Sequence, residues 1–194
     1  VFVHFGAANY RADVFLNGEP VGSHEGGFTP FHFELTDKLR QGGNRLLVHV
    51  DNRRRRDGVL AMGFDWFNYG GLTLSVHLVE LPARHVRDYH LQLAPGDRQQ
   101  VRGWVQVAPA QAGVAVRVEL PQIGMAVDAR TESDGRAAIA FRAPLDLWSP
   151  QRPMLYRVRV SAAGDVVEDE IGFRSIAVQG ERILLNGEPV YLRG

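Results

Sequence analysis

Val114-Ala115-Val116-Arg117-Val118-Glu119-Leu120 places an apolar side chain at every second position. Side chains on an extended strand point alternately to opposite faces, so this run offers one face to a core and the other to water. An amphipathic helix would need apolar residues three and four apart. The same period returns at Phe31, Phe33 and Leu35, at Leu46, Val48 and Val50, at Leu74, Val76 and Leu78, at Ala137, Ile139 and Phe141, and at Tyr156, Val158 and Val160. Each run is expected to be a half-buried strand. Only Asp37-Lys38-Leu39-Arg40, with Thr36 as its N-cap, reads as a helical turn, and it is too short to stand as a helix. The chain is therefore expected to be all-β, built from two stacked-sheet sandwiches.

A chain of 194 residues accommodates two modest domains. The boundary is expected near Leu81-Pro82-Ala83, because proline removes a ladder donor and ends the run that begins at Leu74. Lys plus Arg (22) equals Asp plus Glu (22), so the overall field favours neither nucleic acid nor an anionic membrane as partner. The absence of cysteine excludes disulfides, thiolate metal sites and a cysteine nucleophile, and leaves the compartment open. No apolar run approaches the roughly 20 residues that cross a bilayer. Val1 opens directly on a strand-like pattern, which leads us to expect that the true N-terminus is missing. Leu-Asn-Gly-Glu-Pro-Val occurs twice, at Leu16–Val21 and Leu185–Val190. Asn-Gly supplies the two positive-φ residues of a type I′ hairpin and the following proline suits an edge strand, so the repetition reads as shared turn chemistry rather than a duplicated domain.

Several separate segments carry a family resemblance. Tyr10-Arg11-Ala12-Asp13-Val14-Phe15-Leu16-Asn17-Gly18, Val21 through Phe31 with its Gly26-Gly27-Phe28-Thr29-Pro30 turn, Asn44-Arg45-Leu46, and Asp65-Trp66-Phe67-Asn68-Tyr69-Gly70-Gly71 occur in order. Leu147-Trp148-Ser149-Pro150, Pro153-Met154-Leu155-Tyr156, Ile171-Gly172-Phe173-Arg174 and Ile183 through Gly194 follow. Together they resemble glycoside hydrolase family 2, the β-galactosidase, β-glucuronidase and β-mannosidase family. The resemblance implies an N-terminally truncated sugar-binding jelly roll at 1–82, since a jelly roll needs about eight strands and this part supplies about five or six. It further implies an immunoglobulin-like sandwich at 83–174 and a hairpin at 175–194 leading into a catalytic barrel that lies beyond this chain. Where many members carry Ile-Tyr-Arg-Asp-Val after the glycines, this chain has Leu72-Thr73-Leu74-Ser75-Val76, and no contact is carried over there.

In the family, the carboxylate matching Asp65 reaches into the mouth of the active site and accepts hydrogen bonds from the terminal sugar. A carboxylate suits that role because it has only acceptors and takes two hydroxyl hydrogens at once. Trp66 and Tyr69 could stack on a sugar face, as could Phe67, and Asn68 could add a polar contact. The structural alternative for Asp65 is a turn residue satisfying its own backbone, and for the rings it is packing.

Retaining hydrolysis needs two carboxyl groups about 5–5.5 Å apart, and in the family these lie on the barrel. Glu25, Glu34, Glu80, Glu119, Glu132 and Glu168 stand mainly on water-facing strand positions or in turns, so no catalytic residue is expected here. Arg53-Arg54-Arg55-Arg56 lacks interleaved aromatics and reads as a solvated or interface loop, with recognition of a uronic-acid carboxylate the lesser alternative. The seven histidines show no His-x-Glu-x-x-His or i, i+4 spacing, so no metal and no cofactor is expected. Ser23 is not in a nucleophile elbow and Gly70-Gly71 opens no helix. Trp104 and Trp148 are expected in sandwich cores. The reading is an accessory part of a retaining exo-β-glycosidase, inactive by itself, which meets a β-linked sugar, an absent barrel and further copies of itself. The rivals are a free-standing carbohydrate-binding module and a structural or adhesion sandwich.

Overall fold

The computed structural model describes residues 1–58, 62–63 and 67–191. The described chain is all-β apart from two single-turn 3₁₀ segments, and it divides into two compact units, Val1–Leu81 and Pro82–Gly194.

The first unit contains β1 (Phe2–Phe5), β2 (Ala8–Asn9), β3 (Arg11–Leu16), β4 (Glu19–Glu25), β5 (Phe31–Glu34), β6 (Leu46–Asp51), β7 (Gly71–Leu72) and β8 (Val76–Val79). Two three-stranded antiparallel sheets, ordered β5-β1-β8 and β4-β3-β6, bury Val3, Phe5, Ala12, Val14, Leu16, Phe31 and Leu35 in one core. The short pair β2-β7 sets Asn9 opposite Gly71. The sequence leads us to expect about five or six strands here; the described residues of this unit form eight, of which β2 and β7 are only two residues long.

The run from Leu74 to Leu78 departs from the half-buried expectation. Leu78 pairs with Val3 and Val76 with Phe5, so both face the core side of the sheet. Val3 and Phe5 are fully buried, yet Leu78 is 71 % exposed. β8 is the outer strand of its sheet, and none of the buried core residues lies on it. The Thr36 cap also fails: Thr36–Lys38 is a 3₁₀ turn whose N-cap is Leu35. The Thr36 hydroxyl instead donates to Glu34 and accepts from the Val1 amine.

The second unit contains β9 (His85–Leu93), β10 (Gln100–Ala108), β11 (Ala115–Leu120), β12 (Met125–Arg130), β13 (Arg136–Arg142), β14 (Tyr156–Ala162), β15 (Asp165–Ile171), β16 (Ile176–Gln179), β17 (Arg182–Leu185) and β18 (Glu188–Pro189). Sheets β13-β10-β9 and β12-β11-β14-β15 enclose a core that includes Val105, Val116, Val118, Ile139, Val158 and Phe173, the seven-strand arrangement of an immunoglobulin-like sandwich. Side chains tie β9 to β15 across the sandwich: Asp165 accepts the Val86 N–H at 2.9 Å and Asp169 accepts the Tyr89 hydroxyl at 2.8 Å. Burial, then Asp169, raises that hydroxyl well above the ordinary phenol range.

Neither tryptophan in this unit belongs to its core. Trp104 is out of phase with buried Val101, Val105 and Val107, so it lies on the outer face, where the Arg136 guanidinium covers its ring at 4.3 Å. Trp148 is half-buried beside Gly172, under Arg174 at 5.3 Å. Both Asn-Gly turns are type I′: φ is 55° and 86° at Asn17 and Gly18, and 53° and 85° at Asn186 and Gly187. Pro20 and Pro189 stand on edge strands, where a missing N–H costs no ladder bond. Asn186 anchors the last hairpin by donating to the Trp148 carbonyl at 2.9 Å and accepting the Ser175 N–H at 3.0 Å.

Candidate functional site

The candidate site lies in the first unit around the loop 67–70. Three asparagines fix that loop. Asn9 is 3 % exposed, and its Nδ2 donates both to Asn68 Oδ1 at 2.9 Å and to the Tyr69 carbonyl at 2.6 Å. Asn52 donates to the Asn68 carbonyl at 3.2 Å, and Asn68 Nδ2 returns a hydrogen bond to the Asn52 carbonyl. A primary amide is the group for this task because it carries two donors and an acceptor on one short stem. Gly70 lets the loop pass the clamp: a Cβ there would stand 2.4 Å from Asn52 Nδ2. Gly27 closes the other side, where a Cβ would meet Asn9 Oδ1 at 2.7 Å. That Oδ1 is buried and has no hydrogen-bond partner among the described residues.

Beside the clamp is a cavity of about 310 Å³ lined by Asn9, Phe28, Phe67, Tyr69 and Leu74, among others. Phe28, Phe67 and Tyr69 are 65 %, 83 % and 74 % exposed, and the last two rings are 5.9 Å apart. Large apolar rings around a few fixed polar atoms are the usual composition of a small-molecule pocket, and they also suit the C–H face of a pyranose.

Of the residues singled out from sequence, Asp65 and Trp66 lie outside the described residues. Asn68 and Tyr69 are brought together here, with different parts to play. The Asn68 amide is engaged by Asn9 and Asn52 and frames the loop, whereas the Tyr69 ring faces outward. Asn9 and Phe28 were not singled out. Phe28 had one signal, its place in the Gly26-Gly27-Phe28 turn. Asn9 had none, because its partners are 59 and 60 residues away.

The arginine run flanks the clamp. Arg53 forks onto Asp51, with Nε at 2.9 Å from Oδ1 and Nη2 at 2.6 Å from Oδ2, and this holds the Asp51 carboxyl well below the usual carboxylate range. Arg53, Arg54 and Arg55 share with Asn52 and Asn68 a cleft of only about 10 Å³, room for roughly one water. Glu25, Glu34, Glu80, Glu132 and Glu168 are exposed, and half-buried Glu119 pairs with Arg117 at 3.3 Å. Among the described residues, no group of three or more His, Asp or Glu side chains is arranged to hold a metal ion.

Residues 1–82 match the model described as the sugar binding domain of glycosyl hydrolases family 2. A putative beta-glucuronidase of Formosa agariphila is 27 % identical over 99 % of this chain and 25 % of its own length. A beta-galactosidase of Thermoanaerobacter pseudethanolicus is 27 % identical over the whole of this chain and 28 % of its own length. The chain thus spans about a quarter of the length of these relatives. Among solved structures, the beta-glucuronidase of Bifidobacterium dentium complexed with coumarin-3-O-glucuronide superposes with a TM-score of 0.82 at 28 % identity, over 98 % of this chain and 38 % of that one.

Proposed function

We propose that this chain, whose residues 1–82 match the sugar binding domain of glycosyl hydrolases family 2, is the non-catalytic accessory part of a retaining exo-β-glycosidase of that family, of the β-galactosidase or β-glucuronidase kind. In this reading residues 1–82 are the sugar-binding domain, 83–174 an immunoglobulin-like support and 175–194 the lead into a catalytic barrel. The observation that carries it is the amide-clamped loop at Asn68 and Tyr69, which follows Asp65 closely and opens on an aromatic pocket within the segment matching a sugar-binding domain. Asp65 orients the terminal sugar in the whole enzyme, Tyr69 and Trp66 border it, and Asn68 holds the loop. The solved relative complexed with a coumarin glucuronide supports glucuronides as members of the substrate class.

The test has two arms. The purified chain should turn over no nitrophenyl β-glycoside, and measurable hydrolysis would refute the accessory reading. In the whole enzyme, Asp65→Ala should lower kcat/KM by roughly 10- to 100-fold, the worth of one charge-assisted hydrogen bond of about 1.5–3 kcal/mol. An unchanged kcat/KM would remove Asp65 from the site. The open aromatic pocket favours one second reading, a carbohydrate-binding module that works alone. It requires millimolar or tighter sugar binding by the isolated chain that is lost in Trp66→Ala.

A further inference from the structure

Three of the seven histidines form a row across the β5-β1-β8 sheet, since His32 and His77 are the direct cross-strand partners of His4 on its two sides. Direct partners in an antiparallel sheet project from the same face, with Cβ atoms about 4.5–5.5 Å apart. That face is the outer one, because Val3 and Phe5 on either side of His4 are buried in the core. His32 and His77 are exposed and His4 is half-buried. The His4 and His77 rings already lie near parallel, 19° apart in plane, with centroids 6.5 Å apart. Spacing along the chain hides the row, because register rather than sequence brings the three together.

We propose that His4 with either flanking histidine forms a two-imidazole chelate for a borderline divalent cation of the Ni²⁺, Cu²⁺ or Zn²⁺ class, with water in the remaining positions. Imidazole suits these metals, whereas Mg²⁺ and Ca²⁺ require oxygen ligands. Metal–nitrogen bonds of 2.0–2.1 Å in tetrahedral geometry put the two nitrogens ~3.3 Å apart. Neighbouring side chains on adjacent strands reach that separation by rotating about χ1 and χ2, and both rings are at the surface. His4 is common to both chelates. Phe2 packs edge-on against His32 at 5.8 Å, and the Glu34 carboxylate accepts the Thr36 hydroxyl, so the His77 side is the less encumbered. The chelate has one donor fewer than a three-ligand site, and it is separate from the sugar pocket, none of whose lining residues is a histidine.

Isothermal titration of the 194-residue chain with NiCl₂ tests this at pH 7.5 and pH 5.5, on either side of the ordinary imidazole pKa of about 6.5. Saturable uptake of one equivalent is expected at the higher pH and none at the lower, and MgCl₂ should give no binding heat. His4→Gln should weaken binding by roughly tenfold or more, the factor that even loss of an outer-shell partner costs. His32→Gln and His77→Gln each leave one chelate intact, so each should cost less than His4→Gln, with His77→Gln the more costly of the two because it removes the less encumbered side. The double variant His32→Gln/His77→Gln should match His4→Gln, and it carries the test if His4→Gln fails to fold. No saturable uptake, uptake unchanged in the double variant, or uptake lost instead in His24→Gln/His49→Gln would overturn the proposal.

Discussion

The asparagine clamp can be broken in two ways that should not be equally harmful. Asn9→Ala removes two hydrogen bonds, to Asn68 Oδ1 and to the Tyr69 carbonyl, each worth about 1 kcal/mol net. It also removes the Oδ1 that has no partner in the native fold, and burying such an atom costs about 1–3 kcal/mol, so the two effects nearly offset. The net change should stay within about 1 kcal/mol of zero. Asn9→Asp keeps the shape and reverses the chemistry. An ionised carboxylate donates nothing, so it would face two acceptors at a 3 % exposed position, and a buried charge left without a partner costs about 3–5 kcal/mol. The variant carboxyl should therefore titrate above the ordinary aspartate value of about 3.9 in the folded chain. A raised folded pKa means that the protonated form is the better tolerated. The penalty is full above the folded pKa and shrinks as pH falls through it toward the unfolded value. Native-state hydrogen exchange on peptides from the first unit, at pH 7 and pH 5, reads both points. An Asn9→Asp chain as stable as the Asn9→Ala chain at pH 7, or a gap between them that ignores pH, would refute the clamp as described.

Three further outcomes follow from the geometry. A Cβ on Gly103 would sit 1.7 Å from the His90 carbonyl oxygen, a backbone atom of the neighbouring strand, so Gly103→Ala should cost about 3 kcal/mol and lower the urea midpoint by about 1–2 M. Gly43→Ala, with nothing within 4 Å, should stay within about 0.5 kcal/mol, and equal midpoints for the two would defeat the argument. The Asp97 carboxyl is held below the usual range first by the Gln99 N–H and then by Arg142, so its ¹³C titration should move only part of the way back in Arg142→Ala. Its stabilising effect is present above the ordinary carboxylate range and disappears as pH falls through the depressed value. Exposed Leu78 on the outer strand β8 should promote association between chains, which Leu78→Lys should reduce in sedimentation velocity runs, and a strictly monomeric native profile at high concentration would count against it.

The strands were legible because their signal is local. The alternation at Val114 to Leu120 recurs as the burial pattern of β11, and the two Asn-Gly turns take the positive φ values that their residue types allow. Trp104 is legible too, since its odd-numbered neighbours Val101, Val105 and Val107 fix the core face, and that period outweighs the general habit of tryptophan. Leu78 was not legible in this way. Alternation says which side a residue faces but cannot say whether anything lies opposite. The histidine row and the asparagine clamp depend on register and long-range contacts, for which no window of the sequence carries a periodic trace.

That division bears on the site itself. A loop is usually ordered by burying its side chains, yet Phe67 and Tyr69 are largely open and contribute little burial to hold residues 67–70 in place. Order comes instead from amides: Asn9 reaches the loop from β2, and Asn52 reaches it from the end of β6. Because the polar clamp fixes the backbone, the rings are released from a packing role and stand where a ligand could meet them. A pocket held in this way is ordered before its ligand arrives, so binding need not meet the cost of ordering the loop.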